Sequence, residues 1–98
     1  MKGITIAELI SKIKRGERVS IIDVREPAEV VTGKIPDAIN IPLRLLEFRM
    51  YELDKKKEYA IVCQSGGRSS QAALSLFKNG YQVVNVMGGM QSWEGKVE

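Results

Sequence analysis

The sequence predicts an α/β domain, a mainly parallel β-sheet with helices on both faces. Short β-branched segments alternate along the chain with helical patterns, which is typical of βαβ units. Most of these segments are apolar throughout, as expected of strands that are covered on both faces. With 98 residues and 44% apolar content, the chain can form one modest core, so we expect a single domain over residues 1–98.

Four segments are strand-like. They cover residues 19–24, 38–41, 59–62 and 83–86. Three of them are rich in Val and Ile, which favour strands, and Pro42 ends the second.

Helical patterns lie between these segments. A helix over residues 6–14 is predicted by the apolar stripe Ile6, Leu9, Ile10 and Ile13. Thr5 and Glu8 form a capping-box pattern at its start, and Gly16 is a stop signal.

Four further helices are predicted. Glu26-Pro27 opens a short one that ends at Gly33, and Gly88-Gly89 leads into a last one carrying Trp93. The helix after Pro42 places on one side Leu46, Arg49, Met50 and Leu53. The helix over 69–79 has the packing stripe Ala72, Ala73, Leu76 and Phe77.

The composition excludes several classes of function. One cysteine and no histidine rule out Cys-His and Ser-His nucleophile pairs and most zinc sites, so we expect no metal. A net charge of +3 without aromatic residues among Lys55, Lys56 and Lys57 argues against nucleic-acid binding. No apolar run has the roughly 20 residues that span a bilayer, so a cytoplasmic protein without a membrane partner is expected.

The chemistry is predicted to lie in the loop that follows the third strand-like segment. Cys63 stands at the carboxyl end of that strand, where ligands bind in parallel sheets. Gly66 and Gly67 permit inward-facing N–H groups, the next helix presents its N-terminus, and Arg68 adds positive charge. Such a loop cradles an anion and lowers the pKa of a thiol. Cys63 is therefore the candidate catalytic residue, and the candidate substrate-binding residues are Gln64, Ser65, Gly66, Gly67, Arg68 and Ser69.

Simpler interpretations of these residues stay open. A lone cysteine is often a small core hydrophobe, although the loop after Cys63 argues against that. Arg68 could pair with Asp23 or Glu26 instead of facing a ligand. Ser65 and Ser69 could serve only as turn and N-cap residues.

The motifs together resemble the single-domain rhodanese family over nearly the whole chain. The family pattern Cys-x-x-Gly-x-Arg-Ser is matched by Cys63, Gly66, Arg68 and Ser69. An upstream Asp-x-Arg and Gly-x-Ile-Pro-x-Ala-x-Asn-Ile-Pro signature is matched by Asp23, Arg25, Gly33, Ile35, Pro36, Ala38, Asn40, Ile41 and Pro42. The closing Gly-Gly-x-x-x-Trp pattern is matched by Gly88, Gly89 and Trp93.

This resemblance implies a three-layer sandwich with a five-stranded sheet. It also implies a thiosulfate sulfurtransferase, in which sulfane sulfur moves from a donor such as thiosulfate to cyanide or a thiol through a Cys63 persulfide. The partners would be small-molecule donors and acceptors, with a thiol protein as a further acceptor. Arg25 is expected to form a structural salt bridge instead of touching substrate.

Three residues depart from the family pattern. Lys34 and Asp37 replace residues that are commonly His and Gly, and we expect only surface or turn detail to change. Gln64 stands where many relatives carry Arg, which makes the rim less positive and leaves the preferred donor open.

Two alternative functions stay open. Four residues separate Cys63 from Arg68, whereas cysteine phosphatases have five, so a small phosphatase or arsenate reductase is the weaker alternative. A sulfur carrier or non-catalytic binding module acting with a protein partner is the other.

Overall fold

The computed structural model describes residues 2–98, and in it five parallel strands form one sheet with helices on both faces. The strands are β1 (Lys2–Thr5), β2 (Ser20–Asp23), β3 (Ile39–Asn40), β4 (Glu58–Val62) and β5 (Gln82–Met87). The helices are α1 (Ile6–Lys14), α2 (Pro27–Val30), α3 (Leu46–Arg49) and α4 (Gly67–Lys78). Short 3₁₀ turns lie at Leu43–Leu45, Met50–Glu52 and Met90–Ser92. The predicted three-layer α/β architecture is confirmed.

The strand order β1-β5-β4-β2-β3 places β4 at the centre of the sheet. Ile61 of β4 is in register with Ile22 of β2, and Ala60 of β4 is in register with Val84 of β5. All four strand pairs are parallel, so the carboxyl ends of the strands meet along one edge. The residue after β4 therefore emerges in the middle of that edge, flanked on both sides by other strands.

Two apolar layers hold the helices to the sheet. On one face, Leu46 of α3 and Leu76 of α4 pack with Ile22 and Ile61 in a buried cluster that also contains Cys63. On the other face, Leu9 of α1 packs in a second cluster, whose sheet residues are Ile21, Ala60, Val62, Val84 and Val86. Burial of such side chains contributes roughly 1.5–3 kcal/mol each, so both faces stabilise the sheet.

The first helix has the predicted bounds. The Glu8 backbone N–H donates to Thr5 Oγ1 at 3.0 Å, and the Thr5 N–H donates to Glu8 Oε1 at 3.1 Å. This reciprocal pair satisfies donors that the first helical turn leaves free. Ile6 and Leu9 of the predicted stripe are buried, whereas Ile13 is 39% exposed near the end of the helix.

Several elements of the structure differ from the prediction. The strand β1 was not among the predicted segments because its residues are mostly exposed at the sheet edge and carry no alternating apolar pattern. The helix expected after Pro42 is one turn of α-helix between two 3₁₀ turns. Trp93 follows a 3₁₀ turn instead of lying within a helix.

The helix α4 begins two residues earlier than predicted. Gly66 takes a left-handed φ of 114° and is the N-cap, so the helix starts at Gly67 instead of Ser69. Ser69 and Leu76 face the sheet, but Phe77 is 56% exposed, so its predicted place in the packing stripe is wrong. None of the helices within residues 2–98 combines the length and apolarity that a membrane crossing requires.

Candidate active site

Cys63 follows directly after β4 at the carboxyl edge of the sheet. Its side chain belongs to the cluster beneath α4 and is only 1% exposed. The residue after β2 is bound to the end of this strand, since the Val24 N–H donates to the Val62 carbonyl oxygen at 2.9 Å. The sulfur is therefore buried beneath the loop instead of lying on the open surface.

Backbone N–H groups converge on the Cys63 sulfur. The Gly66 N–H donates to Sγ at 3.0 Å and the Ser69 N–H at 3.3 Å, and the Ser65 N–H also favours the ionised sulfur by lowering its pKa. The Ser69 Oγ accepts a hydrogen bond from the Cys63 thiol at 3.4 Å, while its own proton is donated to the Gly66 carbonyl oxygen at 3.1 Å. Once Cys63 is ionised, the hydroxyl can turn and donate this proton to the sulfur. We call the groups from Ser65, Gly66 and Ser69 the sulfur cage. Three convergent N–H groups form an anion-binding nest of the predicted kind.

The opposite side of the loop is held by the turn after β5. The Met90 N–H donates to the Cys63 carbonyl oxygen at 2.8 Å, and the Gln91 N–H donates to the Gln64 carbonyl oxygen at 3.0 Å. Both carbonyl groups are thus satisfied away from Sγ, which leaves the N–H groups beyond them free to point inward. Gly89 permits this close approach, because a Cβ at this position would lie 2.5 Å from each of the two carbonyl oxygens.

The surroundings of Cys63 favour its ionised form. Burial raises the pKa of the thiol, but the hydrogen bonds from the Ser69 hydroxyl and from the N–H groups of Ser69, Gly66 and Ser65 together outweigh it. The net result is a pKa below the usual value for cysteine. The positive end of the α4 dipole acts in the same direction. The thiolate is therefore stabilised without a histidine.

Arg68 is held by a carboxylate from the other side of the site. Its Nη1 and Nη2 donate to Glu29 Oε1 and Oε2 at 2.6 and 2.8 Å, a bidentate pair that joins α4 to α2. The hydrogen bonds from Arg68 lower the pKa of Glu29 to about 2, so this carboxyl is ionised at neutral pH. The expectation that Arg68 could pair with Asp23 or Glu26 identified the right kind of partner but the wrong residues.

Arg25 forms the expected structural salt bridge. Its Nη2 lies 2.8 Å from Asp23 Oδ2 and also donates to the Gly33 carbonyl oxygen at 2.8 Å, and both charged side chains are buried. Asn40 Nδ2 donates to the Asp23 and Arg25 carbonyl oxygens, each at 2.9 Å. Residues of the upstream signature thus form a hydrogen-bonded cluster at the carboxyl end of β2.

Apart from Arg68, which is bound to Glu29, the predicted binding residues divide into two groups. The cage groups come from Ser65, Gly66 and Ser69, while Gln64 and Gly67 are exposed at the rim. Ser69 is not the N-cap, because Gly66 takes that place; its hydroxyl contacts the sulfur instead.

Two residues that shape the site were missed by sequence reasoning. Glu29 and Gly89 are far from the loop in sequence, although the Gly88-Gly89 pair was a signal for a close approach. No spacing pattern connects Glu29 with Arg68, which lies 39 residues further along the chain.

Comparisons with known proteins agree with this geometry. The chain matches the rhodanese-like domain family over residues 5–96. It is 43% identical over 98 residues to the Bacillus subtilis protein named "Putative sulfurtransferase YtwF", with 100% of this chain and 95% of that protein covered. It is 41% identical over 86 residues to a protein of Allochromatium vinosum named "Sulfurtransferase", with 87% and 80% covered. The crystal structure of SSP1007 from Staphylococcus saprophyticus superposes with a TM-score of 0.94 at 39% identity, covering 100% of this chain and 99% of that one. The chain belongs to the rhodanese-like domain family.

Proposed function

We propose that this protein is a sulfurtransferase that carries sulfane sulfur as a persulfide on Cys63. The observation that supports this most is the sulfur cage, in which N–H groups from Ser65, Gly66 and Ser69 converge on one sulfur atom. Preorganised donors of this kind stabilise negative charge where it develops during a reaction. The similarity to proteins named as sulfurtransferases supports the same proposal.

In the first step, the Cys63 thiolate attacks the outer sulfur of a donor such as thiosulfate. A bond forms between Sγ and that sulfur, the sulfur–sulfur bond of the donor breaks, and sulfite leaves with the electron pair. Cys63 then holds a persulfide, whose terminal sulfur is negatively charged. The cage N–H groups stabilise this charge, and Ser69 keeps the loop in shape through its bond to Gly66.

In the second step, cyanide or a thiol attacks the terminal sulfur of the persulfide. The bond between the two sulfurs breaks, and Cys63 recovers its thiolate with the electron pair. The low pKa of Cys63 favours this departure, because a stable thiolate is a good leaving group. A small thiol or a thiol protein can serve as acceptor, and the cycle as written uses no metal or organic cofactor.

The loop supports sulfur chemistry over phosphate chemistry. Four residues separate Cys63 from Arg68, which shortens the cradle compared with the five-residue spacing of cysteine phosphatases. Arg68 is also bound by Glu29, so it does not stand free to hold a phosphate dianion. We further propose that the 98 residues act as one unit in a reducing, cytoplasmic environment, which would preserve the thiol.

The test is steady-state turnover with thiosulfate and cyanide, measured as thiocyanate formed. We expect turnover by the wild-type protein and none by Cys63→Ser. Hydrolysis of an aryl phosphate by the same samples is the counter-assay. Thiocyanate formation that survives in Cys63→Ser would contradict the role of Cys63, and phosphate release without sulfur transfer would favour the phosphatase alternative.

A further inference from the structure

The inference concerns the charge of the sulfur donor and rests on the proposed function. Every arginine at the carboxyl edge of the sheet is paired with a carboxylate. The pairs are Arg25–Asp23 at 2.8 Å, Arg44–Glu26 at 2.8 Å, Arg49–Glu52 at 3.0 Å and Arg68–Glu29 at 2.6 Å. These carboxylates cancel the positive charge that could otherwise attract an anion to Cys63.

The lysines do not supply this charge, because the fold places them elsewhere. Within residues 2–98, they occur at the start of β1, at the end of α1, before β3 and β4, at the end of α4 and in the tail after the last 3₁₀ turn. In a sheet of parallel strands, the segments that lead into strands lie at the amino edge. The other two arginines, Arg15 and Arg18, also precede β2. Most of the lysines therefore lie at the edge opposite Cys63.

The rim of the loop adds no charge of its own. Gln64 and Ser65 are exposed neutral residues, so the attraction at the sulfur comes from the N–H groups of the cage and the N-terminus of α4. These groups suit a single negative charge on one sulfur atom. A dianion would bring two charges and a bulky SO₃ group to a thiolate that is only 1% exposed.

We propose that the preferred sulfur donor is the persulfide of a small uncharged thiol, and that thiosulfate is a poor substitute. In the loading step, the Cys63 thiolate attacks the outer sulfur of R–S–SH, a new sulfur–sulfur bond forms, and the donor's own sulfur–sulfur bond breaks. The thiolate R–S⁻ leaves with the electron pair and takes up the proton of the transferred sulfur. No oxidant or reductant is consumed, since one persulfide is exchanged for another.

The test compares single-turnover loading of Cys63 by 2-hydroxyethyl hydropersulfide and by thiosulfate, measured by intact mass after rapid quenching. We expect the wild-type rate constant for thiosulfate to be lower. Gln64→Arg, which adds a free cation to the rim, should raise the thiosulfate rate constant about tenfold and change the persulfide rate constant by less than about threefold. Glu29→Gln, which releases Arg68, should act in the same direction.

The matched control is Gln82→Arg, which adds the same charge at the amino end of β5 and should alter neither rate constant. The proposal is overturned if the wild type loads thiosulfate as fast as the persulfide, if Gln64→Arg leaves the thiosulfate rate unchanged, or if it raises both rates equally. Failure of both donors to load wild-type Cys63 would instead contradict the proposed function itself.

Discussion

At the scale of single residues, the site activates a thiol without an imidazole. When Cys63 is ionised, its sulfur can accept hydrogen bonds from backbone N–H groups and from one hydroxyl, that of Ser69. Backbone donors are fixed by the fold, so they require no reorganisation when negative charge forms on the sulfur. The hydroxyl is the one donor in this set that a side-chain substitution can remove.

Ser69→Ala should raise the pKa of Cys63, because the thiolate loses its hydroxyl donor. A hydrogen bond to a charged group is worth roughly 1.5–3 kcal/mol, so alkylation of Cys63 by iodoacetamide near neutral pH should slow about tenfold or more. The measurement is the pH profile of alkylation followed by mass spectrometry. Ser70→Ala is the matched control, since Ser70 is exposed on the next position of α4. An unchanged profile for Ser69→Ala would refute the role of the hydroxyl.

At the scale of elements, the cysteine loop is held from two sides. The turn after β5 binds its carbonyl groups, and the pair of Arg68 with Glu29 ties its far end to α2. The first support depends on a backbone approach that only glycine allows at position 89. The second depends on the charge of one carboxylate. The two supports can therefore be tested separately, by a substitution at Gly89 and by one at Glu29.

Gly89→Ala should displace the loop and abolish persulfide formation, because its Cβ would lie 2.5 Å from the carbonyl oxygens of Cys63 and Gln64. Gly16→Ala is the control. Gly16 also has a positive φ, of 79°, but its Cβ would meet nothing within 4 Å. The control should lose only about 1–2 kcal/mol of stability and keep its activity. The checks are urea unfolding and sulfur loading, and normal loading by Gly89→Ala would contradict this account of the turn.

Glu29→Gln should reduce stability at neutral pH by about 1 kcal/mol or less, because the pair with Arg68 is partly exposed and screened by solvent. The pKa of Glu29 is lowered from 4.5 to about 2, so its contribution is complete above pH 4.5 and is lost as pH falls toward 2. The difference from wild type, measured by urea unfolding at about pH 7, 4 and 3, should therefore shrink on acidification. Glu47→Gln, which removes a carboxylate that forms no ion pair within residues 2–98, is the control. A difference that stays constant with pH would contradict the assignment.

The sequence predicts well those elements that depend on interactions between residues close together in the chain. The bounds of α1 follow from the Thr5–Glu8 capping box, and the buried strands follow from their apolar sequences. The sulfur cage could be predicted because Gly66 and Gly67 follow Cys63 closely in the chain. The edge strand β1 was missed, since its pairing with β5 is a long-range interaction.

Tertiary contacts explain the rest of what the sequence could not show. The partner of Arg68 could not be chosen among several nearby acidic residues, because the choice of Glu29 depends on how α2 is placed against α4. The segment after Pro42 forms one α-helical turn between two 3₁₀ turns, and it buries Leu46 and Leu53. Phe77 is apolar and lies in a helix beside the buried residue Leu76, but its exposure depends on how α4 is rotated against the sheet.

At the scale of the whole molecule, the buried pair of Asp23 with Arg25 joins distant segments. Arg25 binds the carbonyl oxygen of Gly33, and Asn40 binds the backbone of both charged residues. The pair thus links β2 to the chain that leads into β3 and holds the carboxyl edge of the sheet together. Both charged side chains are at most 3% exposed, so neither can turn to water when its partner is lost.

Arg25→Met should therefore destabilise the fold by about 3–5 kcal/mol, because it leaves a buried carboxylate without its cation. Arg44→Met breaks an exposed pair, that of Arg44 with Glu26, and should cost about 1 kcal/mol or less. Equilibrium unfolding in urea compares the two variants. Equal losses of stability would show that burial does not distinguish the two pairs.

The most direct test of the central claim is the intact mass of the protein after incubation with a sulfane donor. We expect the wild-type protein to gain about 32 daltons, the mass of one sulfur atom, and a thiol reductant to remove this gain. Cys63→Ser should show no gain. Reversal by reductant matters, because oxidation of the thiol by two oxygens adds a similar mass irreversibly. No reductant-sensitive gain on the wild type, or an equal gain on Cys63→Ser, would contradict the persulfide mechanism.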